Sequence, residues 1–442
     1  MNTPIYDFVK GYAGSQTARF HMPGHKGREY LGCESLDITE IGGADVLYSP
    51  DGIIKESEDN ASSLFKTAHT FYSTQGSTLA IQAMLTLAVN GRKSDTPPTV
   101  LAARNVHKAF VNAAALLDID VEWLYPERSS HICSTQVSAE ALDSALSRGS
   151  YAAVYITSPD YLGNIADVKS LSEVCNKYGV PLLVDNAHGA YLAFTEPSMH
   201  PIALGAAMCA DSAHKTLPVL TGGAYLHVSE AWSHFTEGAR NALSLFASTS
   251  PSYLTLASLD LANRYLADGY PAALRECIDR IAAIEREIQI PALSSEPLKM
   301  VFKCTDFGYT GSEFCNHLRN FGIECEFSDD TYAVLMLTPS NISLELELCR
   351  DALMAITPRP ALKDHTDPSF KPADRVMSIR EAILSPHEII PVEDAIGRVA
   401  ATPTVSCPPA IPIVISGERI TDSSVALFKR YGIENIEVVK NA

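Results

Sequence analysis

The stretch Asp211-Ser-Ala-His-Lys-Thr-Leu-Pro-Val-Leu-Thr-Gly-Gly-Ala224 places Lys215 in a small, polar setting and decides the fold. Upstream, the apolar run Val180-Pro-Leu-Leu-Val-Asp185 predicts a buried strand that ends in a carboxylate. An acid that closes a strand, with a lysine further along the chain, suits pyridoxal phosphate. This cofactor needs an amine to bind its aldehyde and an anion to keep its ring nitrogen protonated. A lone lysine is usually a surface residue, so the prediction rests on three further features.

The first feature is a candidate phosphate site at Thr74-Gln-Gly-Ser-Thr78. It leads into residues 79–88, whose apolar side chains recur at helical spacing. Gly76 allows close approach of the backbone, and Ser77 and Thr78 add hydroxyl groups. The free N–H groups at the start of a helix favour a bound anion. The alternative is an ordinary helix N-cap, a position that Ser and Thr also favour.

The other two features lie on either side of the predicted cofactor. Asn105-Val-His-Lys108 follows a predicted strand and places His107 where its ring can lie flat on the cofactor; a purely structural histidine is the alternative. Gly222-Gly-Ala-Tyr-Leu-His-Val228 predicts a strand that supports the lysine segment. The chain order of phosphate loop, stacking histidine, aspartate and lysine is similar to that of fold type I pyridoxal phosphate enzymes.

Several stretches resemble one family more closely. They are Phe20-His-Met-Pro-Gly-His-Lys-Gly27, Asp51-Gly-Ile-Ile-Lys-Glu56, Ser212-Ala-His-Lys215, and the C-terminal set Arg380-Glu-Ala-Ile-Leu384, Pro391-Val-Glu-Asp-Ala-Ile-Gly-Arg398 and Ile411-Pro-Ile-Val-Ile-Ser-Gly-Glu418. Over nearly its whole length the chain resembles the bacterial Orn/Lys/Arg decarboxylase family, in the short form that resembles arginine decarboxylase. The resemblance implies an α/β large domain of the PLP-dependent transferase-like type (fold type I) with a mostly parallel sheet, plus an α+β small domain and a short C-terminal domain.

The resemblance also implies roles for individual residues. The implied cofactor-binding residues are Gly76, Ser77, Thr78, His107, Asp185, Ser212 and Lys215. Among these, Asp185 pairs with the ring nitrogen and Lys215 binds the aldehyde. His214 completes the phosphate site, and either His214 or Lys215 donates the proton that replaces the carboxylate. His188, three residues after Asp185, lies near the cofactor and substrate, so the implied catalytic residues are Lys215, His214 and His188.

The family's substrates are arginine, lysine and ornithine, whose distal cations need an acidic partner. The candidates are Glu418 and Asp45, with Asp51 behind them as a carboxylate that we interpret as solvated. The resemblance ranks conversion of arginine to agmatine first, lysine to cadaverine second and ornithine to putrescine third. Two positions depart from the family pattern, because Ala410 stands where glycine is usual and Ser416 stands where proline is usual.

Two other classes of protein are alternatives to this prediction. An aminotransferase or lyase of the same fold would hold the substrate carboxylate with an arginine; Arg319 is the candidate, and we interpret it as a surface residue. A catalytically silent regulatory relative would not need the cofactor residues. The intact set of Lys215, Asp185 and Ser77 argues against such a relative.

Bulk properties restrict the partners and the location. The formal net charge of −18 argues against nucleic acid and is compatible with a cationic substrate. The sequence has no apolar run of about 20 residues that could span a membrane, and its start shows no secretory signal. Ten cysteines without a CxxC pair indicate reduced thiols and a cytoplasmic location. His21 and His25 are separated by Pro and Gly, so no metal site is predicted.

The chain is too long for one core. We predict an N-terminal arm at 1–65, a cofactor-binding large domain at 66–250, a small α+β domain at 251–360 and a C-terminal domain at 373–442. Within the large domain, strands are predicted at 99–103, 121–125, 152–157 and 180–185, alternating with helices as in a parallel sheet. The arm is expected to cross a partner subunit, so a homodimer or an assembly of dimers is predicted. The expected contributors to the neighbouring site are residues 21–25 and 248–251.

Overall fold

The computed structural model describes residues 1–90, 96–126, 131–134, 136–293, 295–363, 372–403 and 409–440. The strands are β1 (His69–Ser73), β2 (Thr99–Ala103), β3 (Asp120–Leu124), β4 (Ala153–Thr157), β5 (Leu182–Asp185), β6 (Met208–Asp211), β7 (Ala224–Val228), β8 (Lys299–Lys303), β9 (Phe327–Ser328), β10 (Tyr332–Met336), β11 (His387–Pro391) and β12 (Asn435–Val439). The α-helices are α1 (Pro4–Ala13), α2 (Ile53–Phe65), α3 (Gly76–Val89), α4 (Lys108–Leu117), α5 (Ala139–Leu146), α6 (Val168–Tyr178), α7 (Ala213–Thr216), α8 (Thr236–Ser244), α9 (Tyr253–Asp268), α10 (Tyr270–Glu287), α11 (Gly311–Arg319), α12 (Ser343–Met354), α13 (Ile379–Leu384) and α14 (Asp422–Arg430).

The predicted alternation of strands and helices is confirmed. The strands expected between residues 99 and 185 are β2, β3, β4 and β5. Helices α9, α10, α11 and α12 lie within residues 251–360, where the α+β part is predicted. β5 begins two residues later than predicted, at Leu182. Pro181 precedes it, and a proline cannot donate a hydrogen bond to a sheet ladder. No helix among the described residues is long and apolar enough to cross a membrane.

The chain divides into two units, of which the first comprises Met1–Gly91 and Val168–Ala273. Its strands lie in the order β1-β7-β6-β5. β5 and β6 are parallel, whereas β7 runs antiparallel to both β6 and β1. Helix α3 is apolar on nearly all sides and packs against β6, β7 and α8, which explains why its residues from Leu79 to Ala88 are almost all buried.

The first 65 residues contain two helices that are anchored within the first unit. α1 and α2 both pack on α9. The carboxylate of Asp260 on α9 accepts hydrogen bonds from the backbone N–H of Tyr6, at 2.9 Å, and from the hydroxyl of Ser57, at 2.6 Å. Residues 14–52, between the two helices, form no helix or strand. The crossing of a partner subunit by this arm stays a prediction. The predicted domain limits also stay predictions.

The second unit comprises Arg92–Asp167 and Leu274–Ala442. One group of strands lies in the order β4-β2-β3, with both pairs parallel. β8, β10 and β9 form an antiparallel sheet, and β11 pairs with β12. The last 30 described residues contribute Ile413, Phe428 and Val438 to a core that also contains Val301 and Val334. The parallel strands with covering helices confirm the predicted α/β class, and the β8–β10 region is the predicted α+β part.

Candidate active site

Three strand ends of the first unit meet at one edge. β5 and β6 are parallel, and β1 runs in the same direction because it is antiparallel to β7, which is antiparallel to β6. Asp185 ends β5, the turn before Ser77 follows β1, and the segment from Ser212 to Lys215 follows β6. Ligands in open α/β sheets bind at the carboxyl ends of the strands. The structure therefore brings these predicted residues together at the expected edge.

The turn before α3 is held close to the glycines that precede β7. Gly76 has a φ of +72°, and its N–H donates to the carbonyl of Gly222 at 2.7 Å. A Cβ atom on Gly222 would lie 2.9 Å from the carbonyl oxygen of Thr74, so this close approach requires glycine. A Cβ atom on Gly76 would meet no heavy atom of the described residues within 4 Å. There is thus open space above the turn.

Hydroxyl groups line this open space. The hydroxyl of Ser212 donates to that of Ser77 at 2.7 Å. Ser77 is half-buried and Thr78 is exposed, in the first turn of the 14-residue helix α3, whose first N–H groups have no intrahelical acceptor. Two serine hydroxyls at the positive end of a helix dipole suit a dianionic phosphate. The chemistry of this site fits the predicted phosphate group.

Asp185 and His188 follow the buried strand β5. Asp185 is 2% exposed, and its Oδ1 accepts a hydrogen bond from the N–H of Ala187 at 3.2 Å. His188 is also buried. A carboxylate that is enclosed by protein interacts strongly with a nearby cation, because little water screens it. Asp185 is therefore suited to hold a protonated ring nitrogen.

Lys215 and His214 lie on the short helix α7. The side chain of Lys215 is exposed in the single chain. The Nδ1 of His214 lies 3.0 Å from the carbonyl oxygen of Gly223, to which it donates. Burial lowers the pKa of His214; the hydrogen bond to Gly223 opposes this and the charge of Lys215 adds to it. His214 is therefore neutral at physiological pH, with its proton on Nδ1 and an unprotonated Nε2.

His107 lies in the second unit, after β2, and is the N-cap of α4. Its Nδ1 accepts a hydrogen bond from the N–H of Ala109 at 3.1 Å, which leaves the ring proton on Nε2. The next residue, Lys108, donates its backbone N–H to the carbonyl of Ala410 at 2.9 Å. The first contact orients the half-buried histidine ring, and the second fixes the backbone directly after it. Its stacking role stays a prediction.

Glu418 is enclosed in the second unit. It is 5% exposed; its Oε2 accepts from the N–H of Ile415 at 2.9 Å and lies 4.0 Å from the Nη2 of Arg104. Arg104 also donates to the carbonyls of Pro412 and Ile413. The pair thus fastens the loop from 411 to 418. Sequence patterns missed Arg104, which is 314 residues from Glu418.

Asp45 is held by the backbone of the first unit. Its Oδ1 accepts from the N–H groups of Val46 and Asp51, and its Oδ2 from those of Gly52 and Ile54. Burial raises the pKa of Asp45, but these hydrogen bonds outweigh burial and hold the pKa below its usual value. Asp45 therefore organises the start of α2. Substrate binding by Glu418 or Asp45 stays a prediction.

Arg319, the arginine considered for a rival activity, is an exposed residue of α11. Its Nη2 lies 2.7 Å from the Oε1 of Glu324, with which it forms an ion pair on the surface of the second unit. This position agrees with the interpretation of Arg319 as a surface residue.

A family model described as the Orn/Lys/Arg decarboxylase major domain matches residues 3–303, and that of the C-terminal domain matches residues 360–431. An arginine decarboxylase of Halalkalibacterium halodurans is 31% identical over 465 aligned residues, covering 97% of this chain and 93% of that protein. An arginine decarboxylase of Bacillus subtilis is also 31% identical, with the same coverage. Among solved structures, lysine decarboxylase A from Pseudomonas aeruginosa is similar with a TM-score of 0.80 and 16% identity, over 99% of this chain and 80% of that one.

Proposed function

Because this chain belongs to the Orn/Lys/Arg decarboxylase family, we propose that it decarboxylates L-arginine with pyridoxal phosphate as its cofactor. The family and its relatives support decarboxylation of a basic amino acid. The observation that carries the proposal is the meeting of Ser77, Asp185, Ser212 and Lys215 at one sheet edge. These residues supply the anion site, the ring-nitrogen partner and the amine that this cofactor needs.

In this proposal each contact with the cofactor has an assigned residue. Ser77, Thr78 and Ser212 bind the phosphate with the N–H groups of α3. Asp185 holds the ring nitrogen and Lys215 binds the aldehyde. His107 is proposed to stack on the ring, and His188 to lie near the substrate. When bound, the cofactor supplies an electron sink for the bond that breaks at the substrate Cα.

We assign delivery of the replacing proton to Lys215 rather than to His214. The neutral His214 has its proton on Nδ1, where the carbonyl of Gly223 already accepts it. Its Nε2 can accept a hydrogen bond but has no proton to give. The Lys215 ammonium is exposed and carries protons on a flexible side chain. His214 then orients a donor group of the cofactor or substrate.

Arginine is placed first because two relatives that are 31% identical over 97% of the chain are arginine decarboxylases. Lysine and ornithine follow. Of the two acids proposed for the distal cation, Glu418 is preferred. Asp45 uses both carboxylate oxygens on the backbone, whereas the hydrogen bond and the ion pair found for Glu418 among the described residues involve Oε2.

The working enzyme is proposed to be a homodimer or an assembly of dimers. The segment from 20 to 31 leaves large apolar side chains in solvent, with Phe20 at 97%, Tyr30 at 81% and Leu31 at 86% exposure. Exposed apolar groups that cluster in one segment mark an interaction surface. A second copy of the chain would cover them, which agrees with the expected role of residues 21–25.

The test is product analysis. The purified protein, supplied with pyridoxal phosphate, is incubated separately with L-arginine, L-lysine and L-ornithine, and the carbon dioxide and amine products are quantified. We expect agmatine to form with the highest kcat/KM. Cadaverine or putrescine as the main product would change the substrate within the proposed class. Formation of a keto acid without carbon dioxide would contradict decarboxylation itself.

A further inference from the structure

Four buried side chains with metal-ligating atoms meet in the first unit. They are His200, Cys209, Asp211 and His227, whose nitrogen, sulfur and oxygen ligand atoms all lie within 4.8 Å of one another. Each of the four residues is at most 1% exposed. A buried group of two imidazoles, one thiol and one carboxylate is the ligand set of a transition-metal site.

The sheet brings the four residues together. Cys209 and Asp211 are two residues apart on β6, so both side chains point to the same face. His227 on β7 is directly opposite Cys209 in the strand register. His200 comes from the segment that precedes β6. Three ligands are thus positioned by regular backbone, which gives the cluster a fixed geometry.

The distances suit a small ion. The Oδ2 of Asp211 lies 3.0 Å from the Nε2 of His200 and 3.2 Å from the Nε2 of His227. The Sγ of Cys209 lies 3.8 Å from the Nε2 of His200 and 3.6 Å from the Oδ1 of Asp211. Ligands at about 2.0–2.3 Å from a tetrahedral zinc ion are themselves separated by about 3–4 Å.

We propose that His200, Cys209, Asp211 and His227 bind a structural divalent transition-metal ion, with Zn²⁺ as the preferred ion. Four protein ligands complete a tetrahedron and leave no open position, which is the pattern of a structural rather than a catalytic zinc site. With Cys209 as thiolate, Asp211 as carboxylate and both imidazoles neutral, a dication makes the buried centre electrically neutral. On binding, the thiol loses its proton to solvent.

Contacts around the four ligands support this arrangement. The Nδ1 of His227 lies 2.9 Å from the hydroxyl of Thr70, so the ring can donate there and present Nε2 to the ion. The amide of Asn186 donates to the Oδ1 of Asp211 at 2.7 Å. Asn186 directly follows Asp185, so the site would also brace the end of β5, a consequence that rests on the proposed function.

The competing explanation is a network of hydrogen bonds without metal. Both histidines can donate Nε2–H to Asp211, and the Asn186 amide and the Cys209 thiol can donate as well. With both imidazoles neutral, that network satisfies Asp211 but leaves one net negative charge in a site of almost no exposure, which is costly in a protein interior. One protonated imidazole would cancel that charge, so the metal content of the purified protein decides between the two arrangements.

The test is metal analysis of the full-length holoenzyme, purified without a metal-affinity step and dialysed against metal-free buffer. Metal per chain is measured by inductively coupled plasma mass spectrometry. A second preparation is made from cells grown with Co²⁺. The difference spectrum between Co²⁺ and Zn²⁺ forms cancels the cofactor absorbance and reports thiolate-to-cobalt charge transfer. The variants are Cys209→Ser and His200→Gln, with Cys175→Ser as the control because Cys175 is a buried thiol of the same unit.

We expect about one metal ion per chain in the wild type and in Cys175→Ser, and less than about a tenth of that in Cys209→Ser and His200→Gln. If these variants do not fold, the charge-transfer band of the Co²⁺ wild type decides. A wild type that holds no metal and takes up neither Zn²⁺ nor Co²⁺ would overturn the proposal, as would full metal content in folded Cys209→Ser. The measurement does not depend on turnover, so it stands apart from the test of decarboxylation.

Discussion

The polar edge of the first unit and the loop from 411 to 418 in the second unit use similar chemical groups in different ways. At the edge, Lys215 is exposed and Ser77 is half-buried beside open space. In the loop, Arg104 and Glu418 are almost completely buried and bind each other and the loop backbone. A charged group that is enclosed by its own chain contributes to stability, whereas one that is exposed to solvent can reach a ligand. The exposure of the side chains to solvent therefore distinguishes the two regions better than the types of residue do.

Lys215 gives the strongest test of this difference between the exposed edge and the buried loop. We expect Lys215→Ala to lower the decarboxylation rate by at least about a thousandfold, as for loss of a residue that forms a covalent link in catalysis. The visible absorbance of lysine-bound cofactor should disappear. The Tm should stay close to that of the wild type, because the side chain is exposed. Steady-state kinetics, absorbance and thermal unfolding measure the three outcomes.

Lys169→Ala is the matched control, since Lys169 is an exposed lysine of α6 in the same unit. It should leave activity and absorbance unchanged. Near wild-type turnover in Lys215→Ala would remove Lys215 from the site. A large fall in the Tm would instead mean that the edge, like the loop, consists of groups that serve stability.

Asp260 is a buried carboxylate that has no cationic partner among the described residues. Burial raises its pKa to about 6, although hydrogen bonds from Ser57 and Tyr6 lower it. The pKa of Asp260 is higher in the folded state than in the unfolded state. The contribution of Asp260 to the stability of the fold is therefore fully present below about pH 4 and is lost as the pH rises through 6. The loss amounts to at most about 3 kcal/mol.

Urea unfolding between pH 4 and pH 7 checks this expectation. The difference in the free energy of unfolding between the wild type and Asp260→Asn should decline as the pH rises, because asparagine does not ionise. Asp268→Asn is the control, an exposed acid of the same helix α9. Equal pH slopes for the wild type and Asp260→Asn would show that Asp260 does not titrate in this range.

Glu418 tests the rule that buried charged groups serve stability and exposed ones bind ligands, because it is buried and is also proposed to bind the substrate. If it binds the distal cation of the substrate, Glu418→Gln should lower kcat/KM at least about tenfold, or about 1.4 kcal/mol. If it only fastens the loop, the main loss should appear in the Tm. Glutamine keeps an acceptor for the N–H of Ile415 but removes the charge that faces Arg104.

Arg104→Gln breaks the same ion pair from the other side and serves as the matched variant. A substrate role predicts that kcat/KM falls more in Glu418→Gln than in Arg104→Gln at similar Tm. Equal effects of both variants on kcat/KM and on the Tm would make Glu418 a structural residue. Asp45 would then be the remaining candidate for the distal cation.

The sequence predicted what depends on local pattern and chemistry. Apolar runs predicted the strands, and the requirements of the cofactor singled out Asp185 and Lys215. Contacts that depend on strand register, or that join residues far apart in the chain, were not predictable. A single sequence does not show which distant residues come together in the fold. The cross-strand neighbours Cys209 and His227 and the Arg104–Glu418 pair are of this kind. The backbone N–H groups that surround Asp45 also depend on a turn, with a φ of +68°, that no pattern indicated.

The smallest effect is expected at Ala410, where the chain departs from the usual glycine of its family. Its φ of +58° lies in the left-handed region, which costs a residue with a Cβ atom about 1–2 kcal/mol. Ala410→Gly removes that cost, but the greater freedom of glycine in the unfolded chain returns about 0.4–1 kcal/mol. We expect a net gain in stability of up to about 1.5 kcal/mol. Thermal and urea unfolding measure it.

Ala401→Gly is the control, because Ala401 is equally buried and has no positive φ. There glycine should lower stability by roughly 0.5–1 kcal/mol. The backbone carbonyl of Ala410 accepts the N–H of Lys108 beside His107, and the substitution keeps that carbonyl. Cofactor absorbance should therefore not change in Ala410→Gly. If Ala410→Gly lost as much stability as Ala401→Gly, the backbone at Ala410 would hold alanine without strain. The rigidity of the following loop from 411 to 418 would then come from the Arg104–Glu418 contacts alone.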